Sequence, residues 1–132
     1  MTRIDHFTEY SAIVHLLEYN HMPASLPFSE LSARRLRETP QKILRLGRLE
    51  VLQVLRVDTT KGYIDMTRKN ISPEEKQECY DRYSSAKLLH SIIAIAVDVA
   101  GTVKVDAVYR DVIFPLYAKY DLPLNFFKEL VL

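Results

Sequence analysis

The sequence predicts a small β-barrel of the OB type, built from five short strands, followed by an all-α helical subdomain. Three observations predict it. Up to about Asn70 the apolar residues fall in short runs punctuated by turn residues. Beyond that point they recur at helical spacing. The change of texture coincides with a helix-start signature at Ser72-Pro73-Glu74-Glu75, in which serine can cap, proline suits the first helical position and Glu75 completes a capping box.

The strands follow in order. Thr2–Phe7 reads as a short first strand and residues 11–17 as a second. Residues 20–27 carry Pro23 and Pro27, which lack backbone donors, so this stretch is an edge strand or a loop. Residues 49–58 alternate, with Val51, Gln53, Leu55 and Val57 opposite Leu52, Val54 and Arg56, as a half-buried strand does. The turn Asp58-Thr59-Thr60-Lys61-Gly62 then leads into a fifth strand, Tyr63–Thr67, forming a hairpin. Five short strands within residues 1–70 fit a closed barrel.

Residues 71–132 form the helical subdomain. Its first helix carries the stripe Tyr80, Tyr83, Leu88, Ile92, Ile93, Ala96 and Val97 and stops at Gly101. A second spans residues 105–120, with Val108, Val112, Leu116 and Tyr120 on one face and a kink at Pro115. A third, short helix covers residues 124–132 after Pro123.

With 132 residues, 48% of them hydrophobic and 27% charged, the chain can bury a real core. A net charge of +1 excludes whole-molecule attraction to nucleic acid, so any such binding must come from a local cluster. The single cysteine, Cys79, cannot form an intrachain disulfide, which fits a reducing, cytoplasmic setting. The polar N-terminus is no secretory signal. The most apolar stretch, residues 92–100, contains Asp98 and is too short to cross a bilayer, so no membrane association is expected.

The densest chemistry lies at Arg34, Arg35 and Arg37, followed by Lys42, Arg45 and Arg48, around one loop of the barrel. OB folds bind single strands by pairing a basic groove with exposed aromatics, so this cluster is a candidate RNA-binding patch. Composition leaves open that it is a solvated basic loop. Ser32 has a second possible role: a phosphate there would carry nearly two negative charges beside those arginines. Ser29 is the second candidate for modification. Tyr63 reads first as a half-buried barrel residue and second as a platform for a base. The Tyr80 and Tyr83 pair reads as packing, and Glu74 and Glu75 as helix-start residues rather than an acid pair. His6, His15, His21 and His90 are scattered, so no metal site is expected, and no glycine-rich phosphate loop implies a nucleotide cofactor. No nucleophile stands beside a base, and the chain reads as a non-enzyme.

The strings Leu16-Leu17-Glu18-Tyr19-Asn20, Ser29-Glu30-Leu31-Ser32, Arg45-Leu46-Gly47-Arg48, Arg56-Val57-Asp58, Lys61-Gly62-Tyr63-Ile64-Asp65 and Ser72-Pro73-Glu74-Glu75 resemble, in order and spacing, the alpha subunit of eukaryotic translation initiation factor 2. The resemblance implies an S1-type barrel and an incomplete helical subdomain, without the family's C-terminal α/β domain. It implies a subunit of a heterotrimer, beside beta and gamma subunits, that carries initiator methionyl-tRNA to the small ribosomal subunit. GTP would be handled by another subunit. It marks Ser32 as the target of stress-activated kinases, with phosphorylation turning the factor into an inhibitor of its guanine nucleotide exchange factor. Lys61, Gly62, Tyr63, Ile64 and Asp65 would be the kinase-docking segment, and Arg34, Arg35 and Arg37 would lie near mRNA. The chain departs from the family at Ala33, where another arginine is usual, and in the prolines before the loop. Two other readings are a pseudosubstrate decoy of those kinases, from which retention of Ser32 departs, and a generic S1-type single-stranded RNA-binding protein.

Overall fold

The computed structural model describes residues 1–131. They form two compact units, Met1–Tyr80 and the part from Asp81 onward, divided within one long helix.

The first unit holds six strands: β1 (Thr2–Phe7), β2 (Ser11–Leu16), β3 (Met22–Pro27), β4 (Leu49–Glu50), β5 (Gln53–Asp58) and β6 (Tyr63–Thr67). Strands β1, β2 and β3 make an antiparallel meander. In β2 the pleat sends Ala12, Val14 and Leu16 inward and leaves Ser11, Ile13 and His15 on the outer face. The chain turns from β2 to β3 through Asn20 and His21, both left-handed, with φ of 57° and 55°. The segment with the two prolines is a strand after all. It tolerates them because its far side meets β6 through a single parallel pair, Ser25 with Asp65.

The run 49–58, expected as one strand, is two. Leu49 and Glu50 pair with β1, whereas Gln53–Asp58 pairs with β6. The sheet order is β4-β1-β2-β3-β6-β5, so strands separated only by Val51 and Leu52 stand at opposite ends of it. A sheet closing on itself demands this: one run must bend so that it serves both edges. The count is therefore six rather than five. The bend also removes the buried face that alternation had promised for β5. Val54, Leu55 and Val57 are 50%, 55% and 55% exposed, because β5 is paired on one side only and its register slips between Val54 and Arg56. The core is supplied instead by Ile4, Val14, Leu26, Leu44 and Met66, all nearly solvent-free.

Helix α1 is a single turn, Pro40–Ile43, and α2 spans Pro73–Ala100. The start of α2 is the expected capping box: the Ser72 N–H donates to Glu75 Oε2 at 2.8 Å, and the Glu75 N–H donates to Ser72 Oγ at 3.2 Å. Ser72→Ala is expected to cost about 1 kcal/mol of stability, read as a lower urea midpoint at unchanged slope. At the other end Gly101, at φ +70°, donates its N–H to the Val97 carbonyl and stops the helix.

The buried line on α2 differs by one residue from the expected stripe. Leu89 and Ile93 are buried and Val97 half-buried, at i, i+4 spacing, while Leu88, Ile92 and Tyr80 face outward. Helix α2 has 28 residues, and one 18-residue window of it reaches a mean hydropathy of 1.2, enough by length and composition alone to cross a membrane, which the nine-residue stretch by itself does not suggest.

In the second unit the expected helix 105–120 is α3 (Val105–Val108), a π-helical stretch (Tyr109–Ile113) and α4 (Phe114–Tyr117). Pro115 accounts for the π-stretch. It has no N–H to give and would crowd the carbonyl four residues back, and widening the preceding turn relieves that. The Phe114 N–H accordingly reaches the Tyr109 carbonyl. The wider turn takes up an extra residue and rotates the face, so Ile113 is fully buried where Val112 had been expected. Helix α5 (Pro123–Val131) completes the unit, and Leu132 of the expected helix 124–132 lies outside the described residues. Leu89, Ile93, Ile113 and Leu124 form this unit's core.

Candidate functional site

The loop between β3 and β4 carries the arginines, and its apolar residues decide where they go. A 3-10 turn, Phe28–Glu30, is followed by Leu31, which is 2% exposed within the barrel core. Leu36 packs against the same core and Leu44 ends the segment fully buried. Three apolar anchors thus hold the loop against the barrel, and the charged residues between them have nowhere to go but outward. Arg34, Arg35, Arg37, Lys42 and Arg45 are all exposed. Among the described residues none of these five forms an ion pair. Their charge is available to a partner.

Ser32 follows Leu31 directly and is half-buried. Its Oγ accepts a hydrogen bond from the Arg34 N–H at 3.2 Å, a local turn that serine favours. Ser29, in the 3-10 turn, is the more exposed of the two serines.

A clamp on this loop was not legible in the sequence. Glu30 Oε2 accepts from Thr67 Oγ1 at 2.8 Å, and Glu30 Oε1 faces Lys69 Nζ at 3.5 Å. The Arg68 N–H donates to the Glu30 carbonyl at 3.0 Å. The segment before Ser32 is therefore bolted to the end of β6. Only the folded topology brings residues 37 positions apart together, and no spacing rule announces it.

The β5–β6 hairpin is the second feature. Asp58 Oδ1 accepts from the N–H groups of Thr60 and Lys61, each at 3.1 Å, and Gly62, at φ +73°, donates to the Asp58 carbonyl. This closes the turn and projects Tyr63. The tyrosine is 63% exposed, so the half-buried reading is wrong and the platform reading gains. Asp65 accepts from Arg56 Nη2 at 2.8 Å across the hairpin. Opposite charges placed across a predicted hairpin were a usable signal for that pair.

Two of the histidines have side-chain hydrogen-bond partners. His6 Nδ1 lies 2.6 Å from Asp5 Oδ2, and that hydrogen bond holds the Asp5 carboxyl below its ordinary range. His90 Nδ1 meets the Tyr109 hydroxyl at 2.8 Å, and burial pushes that phenol's pKa upward. No group of three or more His, Cys, Asp or Glu among the described residues could hold a metal ion.

A closed, OB-like sheet with an exposed basic loop and an aromatic-tipped hairpin, followed by helices, is the class of protein these features define. Two solved structures share the fold. The intact alpha subunit of aIF2 from Pyrococcus abyssi superimposes with a TM-score of 0.81 at 22% identity, over 97% of this chain and 48% of that one. The a/eIF2alpha–aDim2p–rRNA complex from Pyrococcus horikoshii OT3 gives 0.79 at 23% identity, over 97% and 75%. At the level of sequence, eukaryotic translation initiation factor 2 subunit alpha of Arabidopsis thaliana is 37% identical over 131 residues, 99% of this chain. Initiation factor 2 subunit 1 of Plasmodium berghei is 38% identical over 129 residues. The chain spans 38% and 39% of the length of these two relatives. No protein-family model matches. Over nearly all of its length, then, the chain is homologous to the alpha subunit of initiation factor 2.

Proposed function

We propose that this chain is the regulatory, RNA-facing portion of an initiation factor 2 alpha subunit. In this reading it works in the cytoplasm beside beta and gamma subunits, in a heterotrimer that delivers initiator methionyl-tRNA to the small ribosomal subunit. It has no catalytic residue of its own, and its arginine loop lies along mRNA. Ser32 accepts phosphate from stress-activated kinases that dock on Lys61, Gly62, Tyr63, Ile64 and Asp65. The phosphorylated form then holds the guanine nucleotide exchange factor.

The observation that carries this reading is the loop itself. Exposed cationic side chains, with no ion pair among the described residues, follow in the same loop a serine that comes just after the segment fixed to the barrel by Leu31 and by the Glu30 clamp. Such an arrangement presents charge without collapsing onto the protein's own acids. Its sequence relatives bear the same factor's name over 99% of the chain.

The test is single-stranded RNA affinity against salt, for wild type and for Arg34→Ala/Arg35→Ala/Arg37→Ala. Three lost phosphate contacts should lower the slope of log affinity on log salt by about 2, at roughly 0.7 per contact on a single strand. An unchanged slope removes the loop from the RNA-binding role.

A further inference from the structure

The register of the sheet lines up one side chain from each of four strands on its outer face. Ile13 of β2 stands opposite Ser25 of β3, Ser25 opposite Asp65 of β6, and Asp65 opposite Arg56 of β5. With Pro23 and Tyr63 this row lines a groove of about 540 Å³. It differs in kind from the groove on the helical unit, of about 310 Å³, which is walled by apolar side chains and has nothing beside it to identify an occupant.

The lining is chemically mixed in a particular way. Ile13 and Pro23 supply an apolar strip, and Tyr63 a flat aromatic face that is mostly exposed. Asp65 supplies a carboxylate that is only 22% exposed and is steadied by Arg56, whose own side chain is 75% exposed. One guanidinium edge is spent on Asp65 and the remaining N–H donors face solvent. A planar heteroaromatic ring with amino groups on its edge and a phosphate attached satisfies all of these features together.

We infer that this groove holds one unstacked base of a single-stranded RNA. The base stacks on Tyr63, its exocyclic amine donates to Asp65, and its phosphate takes the outward donors of Arg56. A duplex does not fit, because its bases keep their faces covered. Cytosine, adenine and guanine offer an exocyclic amine and uracil does not, so the groove favours C, A and G over U. This assignment rests on the RNA-binding reading above but places a contact on the barrel face, apart from the arginine loop. It also gives Tyr63 and Asp65 two competing occupants, RNA and the proposed kinase.

The test is fluorescence anisotropy of dye-labelled octacytidylate and octauridylate with the whole chain, titrated at several KCl concentrations. Tyr63→Ala is expected to weaken octacytidylate binding about tenfold, the worth of one lost stack, and Tyr63→Phe to leave it near wild type. The salt slope should not move in either variant, since tyrosine meets no phosphate, whereas the triple arginine variant should lower it. Exposure of Tyr63 means both variants should keep the wild-type urea midpoint. Wild-type affinity in Tyr63→Ala overturns the groove assignment and leaves the loop reading standing. Slower phosphorylation of Tyr63→Ala at undiminished RNA affinity assigns the groove to a protein partner and overturns it as well. A wild-type chain that binds neither RNA removes both readings.

Discussion

Ser32→Ala is expected to abolish phosphate incorporation by an initiation factor 2 alpha kinase, while Ser29→Ala retains it. Exposure alone would favour Ser29, the more exposed of the two. What separates them is the freedom of the backbone. Ser29 lies inside the 3-10 turn Phe28–Glu30, whose last residue is held by Thr67, Lys69 and the Arg68 N–H. A segment pinned at that many points cannot extend into a kinase cleft. Ser32 lies just past the clamp, and among the described residues its oxygen is occupied by one hydrogen bond, from the Arg34 N–H. Opening that turn costs about 1 kcal/mol, the net worth of an ordinary hydrogen bond. The resulting phosphate, at nearly two negative charges, would be met by Arg34, Arg35 and Arg37. Radiolabel transfer followed by peptide mapping reads the outcome, and label persisting on the Ser32→Ala protein refutes the regulatory reading.

Leu31→Ala should cost about 2–5 kcal/mol of stability, a core-sized loss for a loop residue. Leu31 is as buried as the core residues of the strands, although it belongs to the segment that bears the proposed acceptor serine. Its removal leaves a cavity in the core cluster that also holds Leu26 and Leu44, which strands tied by ladder bonds cannot collapse to fill. Leu36→Ala, at a half-buried position, should cost clearly less. Urea unfolding of the two variants decides it. A Leu31→Ala loss below about 1 kcal/mol would mean that the loop is an appendage and not part of the barrel's core.

Local chemistry was legible from the sequence wherever it determined structure locally. The Ser72 capping box, the Gly101 stop and the hairpin ending at Gly62 each involve residues within four positions of one another, and each stands where expected. Expectations fail where closure of the sheet or a change of helix type decides. Alternation in residues 49–58 is real, yet closure of the sheet splits the run and leaves β5 open on both faces. The π-stretch before Pro115 moved burial from Val112 to Ile113, a shift that 3.6-residue periodicity cannot express. Tyr63 departs from expectation because an aromatic in a strand is usually packed, and nothing local shows that its strand presents that face to solvent. The arginine loop was visible as composition. Its outward arrangement depends on Leu31, Leu36 and Leu44 all reaching one core.

The Glu30 clamp and the divided fourth strand have a consequence for the order of events during synthesis. Thr2 waits for Glu50, Ser25 for Asp65, and Glu30 for Thr67, so the barrel cannot close until nearly seventy residues have left the ribosome. Until then Ser32 lies on a nascent segment with no fixed shape, and the hairpin bearing Tyr63 does not yet exist. A kinase that docks and modifies as proposed above would thereby act on finished molecules and pass over immature chains.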